Sequence, residues 1–206
     1  LLCRFYDTTS GEVLVDGVNV RDMDLYNLRD NIGMAMQDVF LFSDTIEGNI
    51  AYGRPNCSFE EVKQAAIMAD ANHFIQALPD GYDTIVGERG VGLSGGQKQR
   101  ISLARALLKD PSILILDDTT SAVDMETESY IQSQLKKLDN KCTIFVIAYR
   151  ISSIRDADLI LVMDNGRIIE QGTHEELVAA GGYYATAFHN QYGEIPQEIL
   201  NGKGEK

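Results

Sequence analysis

Two acidic side chains stand directly after an apolar run near the middle of the chain. Residues 113–116 read ILIL, and Asp117 and Asp118 follow them. Adjacent carboxylates where a strand leaves the core repel each other unless a cation or a proton lies nearby. On its own, the pair does not distinguish a metal site from a helix cap or a turn.

A second chemistry-bearing segment, LSGGQKQR at residues 93–100, precedes this pair. Ser94 and Gln97 have the spacing of a capping box, and Gly95 and Gly96 lie just inside the helix start. Free amides and the helix dipole favour an anion there, and glycines let a ligand approach the backbone closely. An ordinary helix cap would explain the glycines but not the whole octet. With the carboxylates after it, the segment indicates a metal–nucleotide site.

The elements that must carry these residues are readable from hydrophobic periodicity. Segments 32–37, 113–116 and 143–148 are apolar and strand-sized, and the last two are predicted to be buried on both faces. Asp16-Gly17 and Asn165-Gly166 predict hairpin turns. Capping residues predict the starts of four helices: Ser58 with Glu61, Ser94 with Gln97, Asp124, and Thr173 with Glu176.

Strands and helices alternate at both ends of the chain, which predicts an α/β core around a parallel sheet. Residues 43–109 are too rich in helical signals for that alternation, and we expect them to form an inserted helical subdomain. The core then takes residues 1–42 and 110–192, and residues 193–206 form a polar C-terminal tail.

The composition narrows the classes of function. The 206 residues carry 18 Lys plus Arg against 31 Asp plus Glu, a formal net charge of −13. This balance argues against a nucleic-acid partner, because phosphate neutralisation needs clustered cations. The three scattered cysteines are expected to be reduced thiols, and no apolar run reaches the roughly 18–20 residues that cross a bilayer. The histidines are interpreted as structural or surface residues: His73, His174 and His189.

The motifs together resemble the ATP-binding cassette of ABC transporters, particularly of exporters. LSGGQKQR matches that family's signature, and ILILDD resembles its Walker B strand. The remaining matches follow in order: residues 36–50 resemble the Q-loop region, VGERG (86–90) the segment before the signature, SAVD (121–124) the D-loop, and IAYRISSI (147–154) the switch loop. The resemblance covers residues 1 to about 192 and implies a P-loop NTPase-like parallel-sheet core, incomplete here, with an inserted α-helical subdomain.

The resemblance implies ATP and Mg²⁺ as cofactors and a role for each matching residue. Asp117 and Gln37 would hold Mg²⁺, and the catalytic positions would be Asp118, Tyr149 and Gln37. The residues that bind the ATP of a second cassette in trans would be Leu93, Ser94, Gly95, Gly96 and Gln97. The D-loop contacts would come from Ser121, Ala122 and Asp124, and coupling to a membrane domain from Gln37, Glu88 and Arg89.

The same resemblance implies a setting. A second ABC cassette would be the partner, a transmembrane domain would be fused upstream, and the cassette would lie at the cytoplasmic face of the cell membrane. No G-x-x-x-x-G-K-[ST] phosphate loop occurs, and residues 1–12 match the stretch just after that loop. We therefore expect the loop to lie upstream of Leu1, and the isolated fragment to be inactive.

Two residues depart from the family pattern at the hydrolytic site. Asp118 stands where the family usually has Glu, so its carboxylate is displaced by ~1.5 Å, and misplacement of about 1 Å costs on the order of a hundredfold in rate. Tyr149 stands where the family usually has His, and a phenol cannot become cationic near neutral pH as imidazole can. Either change alone is as compatible with tolerated drift as with altered function.

Because both changes fall on one site while the signature is intact, the pattern predicts the degenerate half of a heterodimeric exporter. Its own site would hydrolyse ATP slowly, and its signature would complete the partner's site; a homodimer is the alternative. Two other functions remain open. One is a non-hydrolysing module that dimerises on binding ATP, and the other is a non-transport ABC-superfamily ATPase, which the charge of −13 disfavours.

Overall fold

The computed structural model describes residues 1–87, 92–138 and 142–193. The chain divides into two compact units, Leu1–Ile147 and Ala148–Lys206. In the first unit the strands are β1 (Leu14–Val15), β2 (Val18–Asn19), β3 (Ile32–Ala35), β4 (Asp44–Thr45), β5 (Ile85–Val86), β6 (Ile113–Asp117) and β7 (Thr143–Ile147). The helices of that unit are α1 (Leu25–Asp30), α2 (Ile46–Ala51), α3 (Phe59–Met68), α4 (Asn72–Gln76), α5 (Gly95–Leu108) and α6 (Met125–Leu135).

A parallel sheet with the strand order β3-β6-β7 forms the centre of the first unit. Leu114 and Leu116 of β6 point into the main hydrophobic core, whereas Ile113 and Ile115 are half-buried against a smaller cluster on the other face. Helix α5 packs beside this sheet and contributes Ile101, Leu103 and Ala104 to the main core. The predicted α/β core with a parallel sheet is confirmed.

The prediction that residues 143–148 are buried on both faces is wrong. In β7 the side chains of Phe145 and Ile147 are 48% and 54% exposed. The strand pairs with β6 along one edge, and within the part of the chain that the structure describes no strand pairs with its other edge. Apolar character alone predicts a buried strand but not the element that covers it.

The described part of residues 43–109 holds four α-helices, α2 to α5, and the antiparallel strand pair β4–β5. Both predicted capping boxes here are present, at Ser58 with Glu61 and at Ser94 with Gln97. Helix α3 buries Val62, Ala65 and Ala66, because apolar side chains at this spacing share one helical face. The expected helical content of this segment is therefore confirmed.

The predicted hairpin turns are also present. Asp16 and Gly17 have φ angles of 49° and 78°, and Asn165 and Gly166 have 47° and 75°. Positive φ at both central residues matches the twist of hairpin strands, which explains the Asp-Gly and Asn-Gly pairs.

In its described residues, the second unit contains a β-hairpin and two α-helices. Its strands are β8 (Ile160–Asp164) and β9 (Arg167–Gly172), and its helices are α7 (His174–Ala180) and α8 (Tyr183–Tyr192). Thr173 and Glu176 form the predicted capping box of α7. His174 is buried, with Nδ1 2.9 Å from the hydroxyl of Tyr184, so it is structural as predicted. Among the described helices of both units, none has the length and apolar character needed to span a membrane.

Candidate functional site

The carboxyl ends of the parallel strands bring Asp117 and Gln37 to one edge of the sheet. Asp117 is the last residue of β6, and Gln37 follows the neighbouring strand β3 by two residues and is exposed. Parallel strands end on the same side of a sheet, which is where ligands of such folds bind. No group of three or more His, Cys, Asp or Glu side chains in the described ranges could hold a metal. One carboxylate and one amide oxygen suit Mg²⁺, which keeps several waters and binds phosphate oxygens.

Asp118 is 9% exposed and its backbone is left-handed, with a φ angle of 48°. Its amide donates to the carbonyl of Ile147 at 2.8 Å, and its carbonyl accepts from the Ser121 hydroxyl at 3.0 Å. Asp adopts this conformation more readily than most residues because its short side chain bonds locally. The turn after β6 thus gives a local structural reason for Asp at this position.

Helix α5 begins as the signature-like segment predicts. The Ser94 hydroxyl accepts from the Gln97 amide at 3.3 Å, and the Gln97 side-chain oxygen accepts from the Ser94 amide at 2.9 Å. Ser94 and Gly95 are exposed, and Leu93 and Gln97 are half-buried. The capping box therefore fixes the first turn of the helix, and its exposed end offers amides and a dipole that favour an anion.

Gly96 is buried against the turn that carries the predicted D-loop residues. A Cβ on Gly96 would lie 2.7 Å from the carbonyl oxygen of Ala122, whereas one on Gly95 would lie 3.6 Å from the Ala122 Cβ. The structure thus gives Gly96 an intramolecular reason for lacking a side chain, which the sequence interpretation of both glycines as ligand-facing did not include. Gly95 alone of the two is exposed.

Gln99 was not among the predicted site residues. It is buried on α5, and its Nε2 donates to the Asp118 carbonyl at 3.3 Å and to the Ser121 hydroxyl at 3.2 Å. Its Oε1 accepts from the Ala122 amide at 3.2 Å. The sequence signal for this contact was slight, because a polar residue on a helix is normally expected on the solvated face.

A second set of contacts ties the same helix to the start of α6. Arg100 donates to the Asp70 carboxylate at 3.1 Å and to the Asp70 carbonyl at 2.7 Å. The Thr127 hydroxyl bonds to Asp70 at 3.2 Å and to the Asp124 carboxylate at 3.1 Å. Asp124 is the N-cap of α6, as predicted, and the hydrogen bond from the Thr127 amide lowers the pKa of its carboxyl group.

The segment that resembles the Q-loop region is also bonded to α5. Asn49 is fully buried, accepts from the Phe42 amide at 2.8 Å and donates to the Thr45 carbonyl at 3.0 Å. Arg105 donates to the Asn49 carbonyl at 2.8 Å and to the Phe40 carbonyl at 3.0 Å, and burial lowers the pKa of its guanidinium. Buried hydrogen bonds of Asn49 and Arg105 therefore hold the backbone of this segment, while the Phe40 side chain remains exposed.

Tyr149 lies in the second unit and is 78% exposed, and its carbonyl accepts from the Gln191 side chain at 2.7 Å. Glu88 and Arg89 lie outside the described residues, as does nearly all of the predicted tail.

The fold and the order of these motifs define an ATP-binding cassette. The family model described as ABC transporter matches residues 1–121, and the chain belongs to this family. The chain is 55% identical over 195 residues to the uncharacterized ABC transporter ATP-binding protein YknU of Bacillus subtilis, covering 95% of this chain and 33% of that protein.

Two further comparisons agree. The protein named Putative multidrug export ATP-binding/permease protein YgaD, also of Bacillus subtilis, is 54% identical over 91% of this chain and 32% of its own length. The solved structure of a bacterial Atm1-family ABC exporter with ATP bound superimposes with a TM-score of 0.90 at 47% identity, over 94% of this chain and 34% of that chain. The chain thus spans about a third of the length of the curated relatives it matches.

Proposed function

We propose that this chain is the ATP-binding part of an ABC exporter and couples hydrolysis of Mg-ATP to transport across a membrane. One observation carries the proposal: α5, whose first turn is exposed, is hydrogen-bonded and closely packed to residues 118–122. These residues directly follow Asp117 at the end of β6. The names of two relatives, a multidrug export ATP-binding/permease protein and an Atm1-family exporter, support the transport role.

In the proposed reaction, water attacks the terminal phosphorus of ATP, and ADP and inorganic phosphate leave. Asp117 and Gln37 would hold Mg²⁺, which would supply positive charge to the phosphate oxygens. The Asp118 carboxylate orients the attacking water, and the capped start of α5, at Ser94 and Gly95, binds the terminal phosphate of an ATP held by a second cassette. Of the D-loop residues Ser121, Ala122 and Asp124, Ala122 packs against Gly96 at that helix start, and all three would face the second cassette.

The site of this cassette that contains Asp118 is proposed to hold ATP better than it hydrolyses it. The Asp118 carboxylate is one methylene shorter than Glu, and its left-handed backbone favours the shorter residue. Tyr149 cannot supply a cation to the developing phosphate charge. Because the α5 start is fully formed, we propose that it completes the competent site of a different partner cassette, in a heterodimer rather than a homodimer.

Coupling to a membrane domain is proposed for the exposed segment around Gln37, with Glu88 and Arg89. The exposed Phe40 ring, on a backbone held by Arg105, supports a rigid apolar contact there. Such an assembly would hold the cassette at the cytoplasmic face of the cell membrane. The exposed β7 edge supports a further strand beside it, and we propose that a polyphosphate-binding loop accompanies that strand in the complete protein.

The test uses the full-length transporter in lipid vesicles, with Gly95→Asp in this cassette. A carboxylate at the exposed α5 start repels a terminal phosphate, so phosphate release falls on the order of a hundredfold. Ser133→Asp, on the exposed face of α6, adds the same charge elsewhere and leaves the rate unchanged. Unchanged phosphate release by Gly95→Asp contradicts the proposal. ATP binding and dimer closure without any phosphate release, in the unsubstituted protein, favours the non-hydrolysing module instead.

A further inference from the structure

The side-chain amide of Gln99 bridges two parts of the chain that carry different half-sites. It sits on the helix that begins with the signature-like segment, and its three hydrogen bonds end on residues 118–122. Gln99 is 6% exposed, so water does not readily replace these bonds when the side chain is lost.

The bonding pattern requires an amide. Both protons of Nε2 are used, one on the Asp118 carbonyl and one on the Ser121 hydroxyl, and Oε1 accepts from the Ala122 amide. Only a side chain with a donor and an acceptor at this length makes all three bonds. These contacts hold both ends of the turn that begins at the left-handed Asp118.

Close packing makes the link stiff. The Ala122 carbonyl lies against Gly96, where a Cβ would be only 2.7 Å away. A shift of the Ala122 carbonyl towards α5 therefore displaces the first turn of that helix, and a shift away from it pulls on the backbone back to Asp118. The hydrogen bond from the Asp118 amide to the Ile147 carbonyl fixes the other side of the same turn.

We propose that Gln99 is a positioning residue that locks residues 118–122 onto the signature-bearing helix, so that the hydrolytic and signature half-sites of one cassette move together. This inference rests on the proposed ATPase function. Gln99 touches neither ATP nor water in this role; it sets the position of the backbone that carries the Asp118 carboxylate. Its loss lowers the turnover number for ATP and leaves the binding of ATP nearly unchanged.

The experiment compares Gln99→Leu and Gln99→Glu in the full-length transporter with Gln64→Leu as the matched control. Gln64 is exposed on α3 and bonds to Glu60 at 3.1 Å, outside α5 and residues 118–122. The readouts are kcat and KM for ATP, and hydrogen exchange of the amides of residues 118–122. Gln99→Glu has the native length and retains an acceptor for the Ala122 amide, so it tests the role even when Gln99→Leu does not fold.

For Gln99→Leu, kcat falls about tenfold to a hundredfold while KM for ATP stays within about twofold, because the α5 start that completes the competent site is misplaced. The Ala122 amide exchanges about tenfold faster, because its acceptor is gone. For Gln99→Glu, kcat falls as well, since a carboxylate oxygen faces the Asp118 carbonyl, but the Ala122 amide stays protected. Gln64→Leu changes neither readout.

Two results overturn the inference in distinguishable ways. A transporter that hydrolyses ATP with unchanged kcat in both Gln99 variants removes the positioning role and leaves the proposed function standing. Failure of the unsubstituted transporter to hydrolyse ATP at all removes the proposed function, and this inference with it.

Discussion

Hydrogen bonds and close packing hold residues 118–122 against α5, in the region that we call the junction. The predicted site residues that follow the strands β3 and β7 are, in contrast, exposed. Gln99 of α5 bonds to residues 118–122, and Gly96 packs against Ala122 without room for a methyl group. Arg100 of α5 bonds to Asp70, which also accepts a hydrogen bond from the Thr127 hydroxyl. Gln37 and Tyr149, in contrast, are exposed, and β7 leaves one edge unpaired among the described residues. The first turn of α5 is therefore fixed by contacts within the chain, whereas the side chains of Gln37 and Tyr149 are exposed to solvent.

The largest effect is expected from placing one methyl group in the junction. Gly96→Ala brings a Cβ to 2.7 Å from the Ala122 carbonyl, and overpacking of this kind costs about 1–3 kcal/mol. Gly95→Ala meets only ordinary contact at 3.6 Å and gains up to ~1 kcal/mol of helix propensity. Hydrogen exchange of the first amides of α5 in the full-length protein measures the local opening free energy. Equal behaviour of the two variants would show that the junction is looser than described.

A smaller effect is expected from the ion pair between Arg100 of α5 and Asp70, which lies between α3 and α4. In Asp70→Asn, the new residue still adopts the positive φ of 55° readily, because Asn, like Asp, is tolerated there. The substitution removes the negative charge opposite Arg100, whose side chain is 18% exposed. A partly exposed pair of this kind contributes roughly 1 kcal/mol or less. The midpoint of thermal unfolding of the full-length protein should be slightly lower than that of Asp80→Asn, which removes an exposed charge that forms no salt bridge within the described ranges. A double-mutant cycle with Arg100→Gln checks that the loss belongs to the pair; a coupling energy of zero would rule that out.

The smallest effect concerns pH. Because the Thr127 amide lowers the pKa of Asp124 in the folded protein, the ionised carboxylate stabilises the fold above the ordinary pKa of 3.8. That contribution is lost as the pH falls through the lower, folded-state pKa. Asp124→Asn still caps the helix but does not titrate, so amides at the start of α6 should lose their extra acid sensitivity. Identical acid profiles for the two proteins would contradict this assignment.

Local rules predicted local structure well. The capping boxes at Ser58, Ser94 and Thr173 and the two hairpin turns follow from hydrogen bonding and backbone sterics within a few residues, and all are present. The parallel core also followed from strand-sized apolar runs separated by helices.

The contacts between residues far apart in the chain could not be predicted from the sequence. Nothing local distinguishes Gln99 from a solvated helix residue, because its partners lie on a turn that only the folded chain brings near. The same holds for Asp70, which meets Arg100 and Thr127 across separate helices. The burial of β7 was predicted wrongly, because the burial of a strand depends on which other elements pack against it and not only on its own apolar residues. The site residues themselves came from motif resemblance, and their roles remain predictions.

The most direct test of the account is single-turnover hydrolysis at this cassette's own site. In the full-length transporter, the catalytic carboxylate of the partner cassette is inactivated, and phosphate release is timed with Asp118 and Tyr149 intact and with Asp118→Glu and Tyr149→His combined. We expect slow release from the first protein and release at least about tenfold faster from the second, because the carboxylate regains its reach and a cation becomes available. Full-rate hydrolysis with Asp118 and Tyr149 in place would contradict the proposal that this site holds ATP better than it hydrolyses it.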